Sequence, residues 1–192
     1  MDVVSGQPIF VMMLLAAALV VAHAAAADRA NKKGGTPLFI ACQNGDIEAA
    51  RLLLKKGAEV DRAAKDGTTP LHVACLNGHV DVARLLLENG AEVDRATEDG
   101  ATPLWIACQE GHVDAARLLL ERGADVHRRI DSGHTCLNAA CCEGHIAVVQ
   151  LLLDNGADLN VADNGGDTPM ANAKTEGHTA VVDLLEKYIA DS

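Results

Sequence analysis

The sequence predicts an all-α solenoid, in which short helix-turn-helix units stack in a row and are joined by hairpin-like loops. One set of residues recurs every 33 positions through most of the chain of 192 residues. Each repeat places helix-starting and helix-ending residues around two short apolar stretches. A helix pair of this size cannot bury its own apolar face, so successive pairs are expected to share one continuous core.

The period is clearest in a threonine-proline-leucine motif. It begins at Thr36, Thr69 and Thr102, and altered forms begin at Thr135 and Thr168. Glycines and runs of three leucines keep the same phase: Gly45, Gly78, Gly111, Gly144 and Gly177, and residues 52–54, 85–87, 118–120 and 151–153. Because no insertion interrupts the pattern, it predicts five units, at about residues 33–65, 66–98, 99–131, 132–164 and 165–192.

The second unit shows why each repeat is read as two helices and a loop. Thr69 suits the N-cap of a helix over residues 70–77, which begins with a proline and is followed by Gly78. Residues 80–89 carry a wide apolar stripe and predict a second helix with neighbours on two sides. Residues 91–101 contain turn residues and little apolar mass, so they predict an extended loop to the next unit.

Two later units depart from the pattern. In the fourth, Cys136 replaces the proline and Asn138 replaces the histidine found at position 72, which is expected to loosen the start of that helix. Cys136 and Cys142 fall outside the regular cysteine phase and are expected to be exposed. In the fifth, residues 186–188 replace the leucine-glycine ending, which predicts a C-terminal cap that is polar on its outer side.

Composition and motifs argue against several function classes. The formal charge is −11, so a general attraction to nucleic acid phosphates is not expected. Serines occur only at positions 5, 132 and 192, and neither a nucleophile-elbow motif nor a phosphate-binding glycine loop is present in the sequence. We therefore expect no enzyme activity and no cofactor.

Cysteine and histidine recur together, which raises the question of a zinc site. In-phase pairs such as Cys75 and His79 have a Cys-x3-His spacing. A structural zinc ion needs four converging ligands, whereas each unit offers two that are separated by a turn glycine. We expect no metal, buried free thiols and histidines bonded to backbone. Free thiols suit a reducing compartment, which predicts a cytoplasmic location.

The residues of the second unit carry a resemblance to a known family. The run Thr69-Pro70-Leu71-His72-Val73-Ala74, with Gly78-His79 and Gly90-Ala91 after it, resembles an ankyrin repeat. Residues 102–107 match nearly as well, and the resemblance covers residues 28–190. It implies a non-catalytic module or adaptor that binds another protein in a concave groove lined by the loop tips and the first helices. We expect the chain to be a monomer.

The candidate partner-binding residues follow from that resemblance. The predicted tips change from basic to acidic to neutral along the array, which would orient a partner of complementary charge. The tip candidates are Lys32, Lys33, Lys65, Asp66, Glu98, Asp99, Asp131 and Ser132; the candidates at the ends of the first helices are Leu76, Asn77, Gln109, Glu110 and Glu143.

Trp105, the only tryptophan, stands where the second unit has His72. It is interpreted either as an aromatic binding anchor or as a packing residue that replaces a backbone hydrogen bond. We leave both interpretations open at the level of sequence.

The first 27 residues allow three interpretations. Residues 9–22 form an uncharged apolar run, which suits a secretory signal or a membrane anchor, the only route by which a membrane is expected to be involved. An anchor followed by Lys32 and Lys33 would leave the repeats in the cytosol. Alternatively, residues 16–21 are in phase with residues 49–54, which suits a degenerate half-repeat.

Overall fold

The computed structural model describes residues 35–191, and this part of the chain is helical as predicted. Its only β-type pairing is one isolated antiparallel bridge between Arg129 and Thr135. The ten helices of the described residues are α1 (Pro37–Gln43), α2 (Ile47–Lys55), α3 (Pro70–Leu76), α4 (Val80–Glu88), α5 (Pro103–Gln109), α6 (Val113–Glu121), α7 (Cys136–Cys142), α8 (Ile146–Asp154), α9 (Pro169–Thr175) and α10 (Thr179–Asp191).

The helices form two layers that run the length of the described chain. The first helices of the units, α1, α3, α5, α7 and α9, pack against one another in sequence order. The second helices form a parallel row, and each one also packs against the first helix of its own unit. This arrangement confirms the predicted stack of helix pairs, and it places the loop tips along one edge of the first-helix layer.

A threonine starts every first helix, because its hydroxyl accepts a hydrogen bond from the backbone N–H three residues later. The expectation that the fourth unit starts loosely was wrong. The Asn138 side-chain oxygen accepts from the Thr135 amide at 3.1 Å, and the Asn138 amide donates to the Thr135 hydroxyl at 3.2 Å. An amide side chain therefore makes the capping box that His72 makes in the second unit.

The core lies between the two helix layers. Leu85, Leu118 and Leu151, the first of the three leucines in successive second helices, are at most 6% exposed. Leu52, their counterpart in α2, is 52% exposed. In α10, Leu185 is buried while residues 186 and 187 are exposed.

The cysteines are buried more completely than the sequence suggested. All six are free, and Cys136, which was expected to be exposed, is 0% exposed. It occupies the first position of α7, and, after burial, the electrostatic influence of Cys136 helps to raise the pKa of the Cys108 thiol in the preceding unit. Cys142 is half-buried, so the prediction of an exposed irregular pair was wrong.

No helix between residues 35 and 191 is both long and apolar enough to cross a membrane. The apolar run at residues 9–27 lies outside the described residues, so its three interpretations stay predictions.

Candidate partner-binding groove

Backbone hydrogen bonds join each loop tip to the next. Within a loop, the Thr97 amide donates to the Ala101 carbonyl at 2.9 Å, which closes the turn. Between loops, an amide of one tip donates to a carbonyl of the tip before it: Glu98 to Asp66 at 3.0 Å, Asp131 to Asp99 at 2.9 Å, and Asn164 to Ser132 at 3.0 Å. The tips are therefore held at a fixed spacing before any partner arrives.

A depression of about 450 Å³ lies between the second and third tips, and we call it the central groove. Its walls are the two tips, and its floor is the exposed side of α3 and α5. The lining residues are Asp66, Thr68, Leu76, Thr97, Glu98, Asp99, Ala101, Trp105, Ile106 and Gln109. Six predicted site residues thus meet in one place: Asp66, Leu76, Glu98, Asp99, Trp105 and Gln109.

The other candidates lie elsewhere. Asn77 is the C-cap of α3, and its side-chain amide donates to the Val73 carbonyl at 2.8 Å, which gives it a structural role. Glu110 and Glu143 are the C-caps of α5 and α7. Lys65, Asp131 and Ser132 are exposed tip residues that do not line the central groove, and Lys32 and Lys33 lie outside the described residues.

Sequence reasoning missed Thr68, Thr97, Ala101 and Ile106 as lining residues. The repeat phase gives no signal for Ile106, because the in-phase residues differ: Ile40 is 41% exposed and Val73 is 4% exposed. The two threonines and Ala101 belong to the loop stems, which the sequence describes only as polar turn segments.

The groove floor is apolar. Leu76 is 44% exposed, although it is a leucine at the end of a packed helix. Trp105 and Ile106 are half-buried, and the Trp105 ring also packs against the core. The Trp105 Nε1 atom is buried and has no hydrogen-bond partner within the described residues.

In the second unit, the position equivalent to Trp105 is held by His72. Its Nδ1 accepts from the Thr69 amide at 3.1 Å, and its Nε2 donates to the Ala101 carbonyl at 3.1 Å. The side chain thus ties the start of α3 to the next loop, as the sequence led us to expect. Trp105 keeps the backbone half of the cap, since its amide donates to the Thr102 hydroxyl at 3.2 Å, but its indole makes neither side-chain bond.

The rim of the groove is acidic. The Thr68 amide donates to the Asp66 carboxylate at 3.0 Å and lowers the pKa of that group. The Thr97 hydroxyl donates to the Asp99 carboxylate and lowers its pKa. Both aspartates are therefore ionised at neutral pH, and the exposed Glu98, next to Asp99 in the third tip, lines the same depression.

The in-phase histidines and cysteines are built into the stack. The Nε2 atoms of His79, His112, His145 and His178 donate to the carbonyls of Gln43, Leu76, Gln109 and Cys142 at 2.8–3.2 Å, each one unit away. Burial raises the pKa of the Cys42, Cys75 and Cys141 thiols to about 12, so they are protonated and unreactive at neutral pH. In the part of the chain that the structure describes, no three histidine, cysteine or acidic side chains are placed to share a metal ion.

Comparison with known proteins gives one family. A family model described as ankyrin repeats (three copies) matches residues 5–97, 63–130 and 128–191. The matches support repeats of this type over nearly the whole chain without fixing their number. No curated protein matches the sequence.

Proposed function

Because the chain belongs to the ankyrin repeat family, whose members are generally non-catalytic protein-interaction modules, we propose that it is an adaptor that binds a partner protein in its central groove. The observation that carries the proposal is the apolar floor formed by Leu76, Trp105 and Ile106 between two acidic tips. The accessible part of these side chains contributes little to packing within the stack, whereas a tryptophan near the centre of an interface is among the residues that most often carry a large share of the binding free energy.

The rigidity of the tips supports the same proposal. Hydrogen bonds such as that from the Glu98 amide to the Asp66 carbonyl fix the groove walls in the free protein. A partner would then lose little free energy in ordering the surface that it binds.

Capture of partners by the full chain tests this function. We expect Leu76→Arg to abolish capture of the specific partner, because a charged side chain would occupy the floor. The matched control is Ile146→Arg in α8, since Ile146 is 46% exposed and Leu76 is 44% exposed, but Ile146 lies in the other helix layer. Equal capture by both variants would contradict binding in the central groove.

We further infer a cytoplasmic location, which the six free cysteines support because a reducing compartment keeps thiols unpaired. The alternative is a membrane-anchored protein that uses residues 9–27 as a signal or anchor, favoured by the uncharged run in that segment. Fractionation of cells that express the full chain, with and without Leu14→Arg and Leu15→Arg, separates the two. A membrane fraction that disappears in the double variant would support the anchor.

A further inference from the structure

We propose that the central groove recognises a basic segment of its partner, in which a lysine or arginine enters between the acidic tips and a neighbouring aliphatic side chain rests on the groove floor. This inference rests on the proposed function and adds the chemistry of the partner.

The first step is the charge at the rim. Asp66, Glu98 and Asp99 all line the same depression, and none of the three forms a salt bridge in residues 35–191. Hydrogen bonds from Thr68 and Thr97 keep the two aspartates ionised, so the rim stays negative even in mildly acidic buffer. Lys65 is exposed beside Asp66 and offsets only part of this charge.

The second step is that two of the carboxylates are anchored: Asp66 accepts from the Thr68 amide, and Asp99 accepts from the Thr97 hydroxyl. The Glu98 amide is bonded to the Asp66 carbonyl, which joins the two tips. Like charges held close together raise the free energy of the empty groove, and a bound cation would relieve that repulsion. An acidic partner would add to it, which gives the groove a means of rejecting wrong partners.

The third step is the floor beneath the carboxylates. Trp105 is half-buried and lines the groove, so the accessible part of its indole can contact a cation, and an arginine guanidinium stacks on aromatic rings better than a lysine ammonium does. Leu76 and Ile106 lie in the same groove and can cover the aliphatic stem of a lysine or a neighbouring leucine. A basic side chain can pair with the acidic rim, and a neighbouring apolar side chain can pack on the floor. A segment that carries both therefore complements the whole groove.

Trp105 makes the test direct, because it is the only tryptophan and its fluorescence reports on the central groove alone. The full chain is titrated with a synthetic peptide that carries Leu-Arg-Leu-Lys between Gly-Ser ends. Matched peptides replace the two basic residues by glutamate or by glutamine, or the two leucines by serine. We expect a saturable change in emission with the basic peptide, and at least about ten-fold weaker binding for each of the other three.

A double variant tests the rim without touching the reporter. Glu98→Gln with Asp99→Asn should weaken binding of the basic peptide about ten-fold, because two of three rim charges are lost. The control is Asp81→Asn with Glu88→Gln, two exposed acidic residues of α4, which changes the net charge equally and should leave the Kd unchanged. Thermal unfolding of both variants verifies that they remain folded.

The outcomes separate this inference from the proposed function. Equal binding of the basic and glutamine peptides, or an equal effect of the two double variants, would overturn recognition of a cation. If no peptide binds but Leu76→Arg still abolishes partner capture, the basic segment is wrong and the adaptor function stands. If Leu76→Arg also leaves capture unchanged, both fail.

Discussion

The second and third units use the same helix position for opposite purposes. In the second unit, His72 is 0% exposed, and its ring joins the start of α3 to the backbone of the following loop. In the third unit, the same position holds Trp105, whose indole nitrogen has no partner in the described residues and whose ring lines the central groove. One unit uses this position for hydrogen bonds to the next loop, and the next unit gives up those bonds and places a half-buried aromatic ring in the groove.

The difference shows where the stack can vary. Residues whose partners are backbone atoms can recur from unit to unit, such as the threonine caps within the first helices and His79, which bonds to the preceding unit. The side chains on the groove floor, Leu76, Trp105 and Ile106, make no hydrogen bond in the described residues, so their identity is open to selection for a partner. Position 72 and its equivalents can serve either role, because His72 bonds the stack and Trp105 lines the groove. Comparing the two residues therefore separates stability from binding.

The largest expected effect comes from disrupting a contact that joins one unit to the next. Gly78 has a φ of +68°, and a Cβ there would lie 2.7 Å from Nδ1 of His112 in the next unit. Gly78→Ala should lower the free energy of unfolding by about 3 kcal/mol, from backbone strain together with the clash. Chemical denaturation of the purified chain measures the loss.

Gly90→Ala is the matched control for this prediction. Gly90 also has a positive φ, +87°, but a Cβ there would meet nothing within 4 Å. Strain alone should lower stability by about 1 kcal/mol. Losses of equal size in the two variants would show that the His112 ring moves aside at little cost. The histidines would then contribute less to the stability of the stack than we propose.

The next effect separates His72 from Trp105. His72→Ala should lower the free energy of unfolding by about 3 kcal/mol, because the Thr69 amide and the Ala101 carbonyl lose buried partners. Trp105→Ala should lower it by less than about 2 kcal/mol, since the half-buried ring gives up only part of its packing. Partner capture should show the reverse order, with capture lost only in Trp105→Ala. If capture is instead lost in the less stable His72→Ala and kept in Trp105→Ala, the proposed difference between the two positions is wrong.

The sequence predicts the stack well because its signals are local and repeated. Threonine caps, turn glycines and leucine runs each act within a few residues, and five copies agree. It predicts the groove less well, because the groove depends on which tips touch: Lys65 and Asp66 are adjacent in sequence, yet only Asp66 lines it. It misplaced Cys136 because the burial of that position depends on neighbours in the preceding unit, among them Cys108, which lies 28 positions away and outside the 33-residue phase.

A smaller effect on stability is expected when Trp105 of the third unit is replaced by histidine, the residue at the equivalent position of the second unit. The His134 carbonyl accepts from the Ile130 amide just as the Ala101 carbonyl accepts from the Thr97 amide, so the third unit offers an imidazole the same acceptor. Trp105→His should therefore change the free energy of unfolding by less than about 1 kcal/mol, because the restored bonds offset the lost packing. Denaturation and partner capture check this prediction: we expect stability to be kept and capture to be lost. A loss of stability as large as that of Trp105→Ala would show that the introduced imidazole does not form its hydrogen bonds.

The smallest effect concerns the dependence of stability on pH. Burial lowers the pKa of His72, against the opposing influence of its bond to the Ala101 carbonyl and of the Asp66 charge. The unfolded chain, in which the group titrates near about 6.5, therefore takes up a proton before the folded chain does. The free energy of unfolding should fall as the pH drops through that value, and this loss should stop growing only below the folded pKa. His72→Asn, which copies Asn138 of the fourth unit, should keep the cap and remove this component. Denaturation curves of both proteins at several pH values check the difference, and parallel curves would show that His72 does not titrate differently in the folded and unfolded chains.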